Sequence, residues 1–84
     1  MQFEKDVKFI GMSEPNQLSD GGAYYTVTMF EPQAGISVVV NVMDTEGNKT
    51  LLEALDLCDF GDLLHAAFEL RPKDKLYRLR LLRV

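Results

Sequence analysis

The end of the chain, from Leu63 to Val84, constrains the possible folds more than any other stretch. It reads LLHAAFELRPKDKLYRLRLLRV, and the segment Pro72-Lys73-Asp74-Lys75 in its middle favours a turn. Apolar and basic residues then alternate one by one: Tyr77, Arg78, Leu79, Arg80 and Leu81. A period of two is typical of a strand with one apolar and one cationic face. The sequence therefore predicts a β-hairpin here, although residues 63–70 also include good helix formers.

Charge is distributed unevenly along the chain. Residues 1–70 carry 3 basic and 12 acidic side chains, for a formal net charge of −9, whereas residues 71–84 carry 6 basic and 1 acidic, for +5. The total of −4 therefore hides a cationic end on an acidic chain. Arginines on a strand either contact a polyanion or protect a sheet edge from aggregation, and the sequence leaves both roles open.

Length and composition indicate one folded domain, residues 1–84, without catalytic chemistry. A hydrophobic fraction of 46% is ordinary for a globular chain of 84 residues. One cysteine cannot form an internal disulfide, and one cysteine with one histidine cannot assemble a zinc site. Motifs that cradle nucleotide phosphates or present a catalytic serine are missing from the sequence. We therefore expect a non-enzymatic protein with no metal, no cofactor and no small-molecule substrate.

The sequence also predicts a compartment. Nothing at the N-terminus has the pattern of an export signal, and the longest apolar run is Val38-Val39-Val40. A bilayer-spanning helix needs roughly 20 apolar residues. We therefore expect a cytoplasmic protein that makes no membrane contact.

Upstream of the hairpin, the pattern predicts three more strands. The first begins near Phe3 or Val7 and ends at Gly11-Met12, where the glycine allows a bulge. The second is Ala23–Glu31, whose composition is β-branched and aromatic, and the third is Ile36–Met43. A long polar loop joins the first strand to the second.

Alternation in the second strand assigns its two faces. If Val27 faces the core, Tyr25 and Met29 face it too. The other face then carries Tyr24, Thr26, Thr28 and Phe30. This places two aromatic side chains on the face turned away from the core.

The segment after the turn at 44–48 follows a helical period. Leu51 and Leu55 lie four residues apart, and Thr50 followed by Glu53 matches a capping box. A short helix over Thr50–Leu57 is predicted. Five strands with a helix between the third and the fourth is the order of the OB-fold, a partly open Greek-key barrel. We therefore predict an all-β, five-stranded OB-fold barrel with one short helix.

Three segments resemble the small OB-fold single-stranded-DNA-binding proteins of bacteriophages and mobile elements. They are GGAYYTVT at the second strand, CDFGDLL before the fourth and FELRPKDKLYRLRLLRV at the end, whose RLRL is similar to the ending of the filamentous-phage members. The resemblance implies largely sequence-independent binding of single-stranded DNA during replication of a phage or mobile element. It leaves RNA open as a second ligand.

The resemblance also implies which residues bind. In this family DNA crosses the second and third strands, aromatic side chains stack on bases, and Lys and Arg contact phosphates. Carried onto this chain, it implies stacking by Tyr24 and Phe30. The hairpin supplies the other candidates: Lys73, Lys75, Tyr77, Arg78 and Arg80. Stacking suits sequence-independent binding because every base has a π-face, and each stacked base contributes about 1–3 kcal/mol. A purely structural role stays open for each, since strand aromatics commonly pack and strand arginines are commonly solvated.

Two features favour protein partners. The segment 44–62 carries six acids against Lys49 alone, which is unusual beside a DNA groove. An adaptor that binds another protein through a sheet edge and this acidic helix region is therefore the alternative function. A hydrophobic third strand with Val39 on its outer face also predicts a homodimer, since twofold dimers are the commonest oligomers.

Overall fold

The computed structural model describes residues 1–74 and 76–84, and Lys75 lies outside the described residues. Most of these residues form one antiparallel sheet. Its strands are β1 (Gln2–Met12), β2 (Asn16–Gln17), β3 (Ala23–Glu31), β4 (Ile36–Met43), β5 (Leu63–Lys73) and β6 (Leu76–Arg83). The helix α1 (Lys49–Asp56) follows a 3-10 turn at Glu46–Asn48 and separates β4 from β5. The prediction of an all-β chain with one short helix is confirmed, and residues 63–70 are strand.

The longest strands meet in the middle of the sheet. The order is β4-β3-β1-β5-β6, with the short β2 beside β3. The first half of β1 pairs with β5 and the second half with β3, so β1 joins the two hairpins into one sheet. The register of β1 shifts between Phe9 and Gly11 and leaves Ile10 as the extra residue, directly before the glycine at which the sequence allows a bend or a bulge.

One apolar core is shared by both edges of the sheet. It contains Val7, Phe9, Val27, Met29, Val40, Val42, Leu51, Leu55, Ala66, Phe68 and Leu81. Because Val40 of one edge strand and Leu81 of the other belong to the same cluster, the sheet must curl around the core. The edges β4 and β6 lie against each other, but in residues 1–74 and 76–84 no hydrogen-bonded ladder joins them. The sheet is thus curled and open.

The helix packs one face onto this core. Leu51 and Leu55 are buried, one turn apart, as an amphipathic helix requires. The predicted capping box is wrong, because the helix begins at Lys49 and its N-cap residue Asn48 makes no side-chain capping hydrogen bond. Thr50 therefore lies within the first turn. The Asn48 side chain instead donates to the Met43 carbonyl oxygen at 2.9 Å, which ties the helix entry to the end of β4. No helix in the described part of the chain is long and apolar enough to cross a bilayer.

The closing hairpin is longer than its sequence predicts. The pairing of β5 with β6 continues to Lys73 opposite Leu76, so Pro72 and Lys73 belong to the strand and not to the turn. Asp74 follows with a φ of 57°, a left-handed conformation that Asp tolerates better than most residues. Pro72 pairs with Tyr77 on one side of β5. On the other side β1 begins at Gln2, opposite Glu69, so no described strand pairs with Pro72 there and its missing N–H leaves no ladder bond unmade. Beyond this point the hairpin is a two-stranded ribbon.

Candidate nucleic-acid interface

A groove of about 940 Å³ runs between the edge strands β4 and β6. Its walls are residues 39–43 of β4, residues 71–73 of β5 and residues 78–81 of β6. Four further residues complete the lining: Leu18, Tyr24, Thr45 and Asn48. The groove exists because the curled sheet brings its two edges together without joining them.

The charge of this groove is of one sign. Its basic lining residues are Arg71, Lys73, Arg78 and Arg80. No acidic side chain occurs among the described residues that line it. The lining as a whole therefore attracts anions over long range, although Glu69, just outside it, offsets the charge of Arg71.

Two of these cations lie directly opposite each other. Arg71 on β5 pairs with Arg78 on β6 in the strand register. Like charges at directly opposed positions destabilise a sheet. The sheet therefore places two arginines side by side at the groove, and Arg71 alone of the two has a carboxylate partner, Glu69.

Glu69 holds one of these arginines in place. Its carboxylate accepts a hydrogen bond from the Gln2 side chain at 3.3 Å and forms an ion pair with Arg71. Burial raises the pKa of Glu69, but these hydrogen bonds and the charges of Arg71 and Arg80 outweigh it, so the pKa lies below its ordinary value. Among the described residues, the ion pairs do not involve Lys73, Arg78 or Arg80. These three carry no such pair, and Arg71, which is paired through Nε with its side chain 61% exposed, can contact a ligand as well.

Tyr24 lies at the wall of the groove formed by β3 and β4. Val27 and Met29 are fully buried, which confirms the predicted facing of β3 and places Tyr24 on the face away from the core. Tyr24 pairs with Met43 of β4 in the strand register, and it is half-buried. One row along, the Thr26 hydroxyl donates to the Asn41 side-chain oxygen at 3.0 Å, so polar side chains continue this face.

The structure thus brings four of the seven predicted site residues into one groove: Tyr24, Lys73, Arg78 and Arg80. Phe30 is also half-buried on the outer face, but it lies six residues from Tyr24 along β3, about 20 Å away in an extended strand. Tyr77 is 72% exposed and opposite Pro72, and it does not line the groove. Lys75 is outside the described residues.

One of the four cations that line the groove, Arg71, is not among the residues that the sequence predicts for the site. Arg71 was placed at the end of a strand, before a turn that was predicted to start at Pro72. The longer hairpin extends the strand past it and sets it opposite Arg78. Its membership of the basic cluster at 71–83 was the only signal in the sequence that could have identified it.

Most acidic side chains of the segment 44–62 lie in a hollow other than the cationic groove. A separate hollow of about 420 Å³ beside α1 contains four of them, with Lys49 and Tyr25 at its walls. The acids are Asp44, Glu46, Glu53 and Asp56. Thr45 and Asn48 of the acidic segment 44–62 line the cationic groove, but none of the acids of that segment does.

A third charged cluster lies on the outer face of β1 and β5. The His65 Nδ1 is 2.8 Å from an Asp6 carboxylate oxygen, and Nε2 is 3.3 Å from the carboxylate of Glu4. Arg83 donates to the same Glu4 oxygen at 3.3 Å, so this arginine is paired outside the groove. The hydrogen bond to Asp6, with the nearby charges of both acids, raises the pKa of His65 above its ordinary value despite some desolvation. Within the described part of the chain, no three His, Cys, Asp or Glu side chains are grouped to hold a metal ion.

Comparison with known proteins finds no matching family model, no similar characterised protein and no similar solved structure. The candidate site is therefore defined by its own geometry and charge.

Proposed function

We propose that this chain is a non-enzymatic protein that binds single-stranded DNA largely independently of sequence, in the groove between β4 and β6. One observation carries the proposal: the groove combines four cations and one aromatic side chain with no acid among its described lining residues. The acidic segment 44–62 argued against nucleic acid at the level of sequence, but four of its six acids line a different hollow and none lines the groove.

The curled sheet supports an OB-type barrel as the framework of this site. The helix lies between β4 and β5, and the two edge strands approach each other across an open seam. A partly open barrel with such a seam is the arrangement that defines the OB-fold. In the proposal the open seam is the groove, and the resemblance to phage and mobile-element proteins supplies the setting in replication.

The groove suits a single strand better than a duplex. A single strand exposes the faces of its bases, and Tyr24 offers a ring on which one base can stack, worth about 1–3 kcal/mol. Stacking reads no sequence, and neither do phosphate contacts. Nothing in these two contacts selects against a 2′-hydroxyl, so the proposal includes single-stranded RNA as a competing ligand.

The salt dependence of binding follows from the number of cations. Each phosphate contact to a single strand contributes about −0.7 to the slope of log K against log salt, so four contacts give about −2.8. Raising the salt from about 50 to about 200 mM should then weaken binding about 50-fold. A strand bound mainly by apolar contacts would show a much smaller change.

Fluorescence anisotropy with a labelled oligo-dT of about 20 nucleotides tests the proposal at these salt concentrations. An abasic oligonucleotide of the same length is the matched control, because it has the same phosphates and no bases. We expect it to show the same salt slope and a weaker affinity. If oligo-dT does not bind at low salt, the proposal is wrong, and the protein-binding adaptor is the function to test next.

A further inference from the structure

The turn between α1 and β5 holds apolar side chains out in solvent. Leu57, Phe60 and Leu63 are 84, 78 and 71% exposed. We call this segment, residues 56–63, the apolar loop. Together the three side chains expose an area on the order of several hundred Å², which is the size of the largest apolar patch on a typical monomer, a patch that is often functional.

Hydrogen bonds hold the apolar loop in one conformation. The Asp59 N–H donates to the Asp62 carboxylate at 2.8 Å, and the Asp62 N–H donates to the Asp59 carbonyl at 3.0 Å. The Gly61 N–H donates to the Phe9 carbonyl oxygen at 2.7 Å, and the Phe9 N–H donates to the Asp62 carbonyl oxygen at 2.8 Å. Backbone bonds to a central strand therefore hold Phe60 in its outward position.

A second exposed apolar patch lies at the other end of the molecule. Leu76 and Tyr77 are 75 and 72% exposed, on opposite faces of the ribbon formed by β5 and β6. With their cross-strand partners Lys73 and Pro72 they form what we call the hairpin end. Neither Leu76 nor Tyr77 lines the cationic groove, so the proposed function leaves both without a role.

The two patches are complementary in charge. The apolar loop contains three acids, Asp56, Asp59 and Asp62, and no base. The hairpin end, residues 72–77, carries two bases and one acid, for a formal net charge of +1, and Arg71 and Arg78 flank it. Opposite charges around two apolar surfaces steer encounter and suppress wrong pairings, while the apolar side chains supply the affinity.

We propose that the hairpin end of one copy of this chain docks on the apolar loop of a second copy. The occupant is a second copy because this chain itself carries both halves of a complementary pair. The patches lie at opposite ends of β5, up to about 35 Å apart for an 11-residue strand, so a contact at one end leaves the other free. Such a head-to-tail interface does not close on itself and produces an open row of copies.

This proposal goes beyond nucleic-acid binding and does not depend on it. Patches of a few hundred Å² bury less than about 1,200 Å² in a contact, which is the range of weak and transient interfaces. Association is therefore expected at high protein concentration. The homodimer predicted from the sequence differs from this arrangement, because a twofold contact would stop at two copies.

Two double variants test the proposal by sedimentation velocity without nucleic acid. Leu57→Ser with Phe60→Ser removes the apolar loop, and Leu76→Ser with Tyr77→Ser removes the hairpin end. All four side chains are more than 70% exposed, so both variants should fold, and circular dichroism during thermal unfolding checks this. Ile36→Ser is the matched control, since Ile36 is 53% exposed and lies outside both patches.

The mixing result is decisive. From about 10 µM to about 1 mM, the wild type and Ile36→Ser should grow beyond a dimer, whereas each double variant alone should stay at 9.5 kDa. An equimolar mixture of the two double variants should form a complex of two chains and no larger species, because it retains one complementary pair of patches. Either double variant associating alone like the wild type, a mixture that stays monomeric, or a wild type that stays monomeric or stops at a dimer would each overturn the proposal.

Discussion

Arg78→Gln should weaken nucleic-acid binding and stabilise the folded chain at the same time. Arg78 lines the groove and lies directly opposite Arg71. Removing one of four phosphate contacts should change the salt slope from about −2.8 to about −2.1. The loss of affinity between about 50 and about 200 mM salt should then fall from about 50-fold to about 20-fold.

The stability change has the opposite sign because the substitution relieves a like-charge pair. Cross-strand pairs contribute roughly 0.2–1 kcal/mol, and exposure of the pair to solvent places this one in the lower half of that range. The free energy of unfolding should rise by about 0.2–0.5 kcal/mol, which corresponds to an increase of about 1–4 °C in Tm for a domain of this size. Thermal unfolding followed by circular dichroism measures this, and anisotropy titrations measure the slope.

Arg83→Gln is the control for both measurements. It removes the same charge from the same strand, but Arg83 lies outside the groove and donates to Glu4. We expect an unchanged salt slope and a Tm that stays the same or falls slightly. If Arg83→Gln lowers the slope and Arg78→Gln does not, the nucleic acid lies nearer β1, at the other end of the same face, and the assignment of the groove is refuted.

Three further predictions concern the ring, the core and the histidine. Tyr24→Ala should weaken binding of single strands by about 1–3 kcal/mol with an unchanged salt slope, and Tyr24→Phe should retain the affinity; a silent Tyr24→Ala with Tyr25→Ala abolishing binding in a folded protein would place the site on the other face of β3. Leu55→Ala, at a residue 1% exposed, should lower the free energy of unfolding by about 2–5 kcal/mol in denaturant titrations, whereas Leu57→Ala, at a residue 84% exposed, should change it by less than about 0.5 kcal/mol. His65 has a raised pKa, so its stabilising contribution is complete below the unfolded-state pKa of about 6.5 and is lost as the pH rises through the higher folded-state value. An NMR titration of this single histidine should show a pKa above 6.5 that Asp6→Asn lowers, and an unchanged pKa in that variant would contradict the role of the hydrogen bond.

Local alternation was enough to predict the five long strands, whereas the two-residue β2 lies within the loop that the sequence predicts. Val27 and Met29 are buried as the period of two requires, and β3 and β4 begin and end where the pattern places them. Burial of apolar side chains on one face of a strand is decided within a few residues, so a short window of sequence contains the information. The charge difference between residues 1–70 and 71–84 was likewise visible without a structure.

The composition of the groove was decided by pairing between distant segments. Arg71 lies opposite Arg78 because the ladder continues without a shift from Phe68 to Lys73, and an irregularity between Ala67 and Phe68 changes the register only at the pair of Ala67 with Arg83. A shift of one residue would move every side chain beyond it to the other face, and the sequence does not state where such a shift occurs. The predicted turn at 72–75 was therefore too long, and Arg71 was missed.

Curvature of the sheet decided which residues meet. Tyr24 on β3 and Arg80 on β6 share a groove because the edges of the sheet curl around one core, whereas Phe30 on the same face of β3 is left at the far end. Curvature depends on the summed twist of paired strands and on the packing of α1, and no single segment determines it. The sequence by itself determined the strands, their faces and the cationic end of the chain. Only the tertiary structure decided that four cations share an open groove with Tyr24 and that four acids of the segment 44–62 line a separate hollow. Long-range strand pairing and packing around a shared core set the positions of both groups.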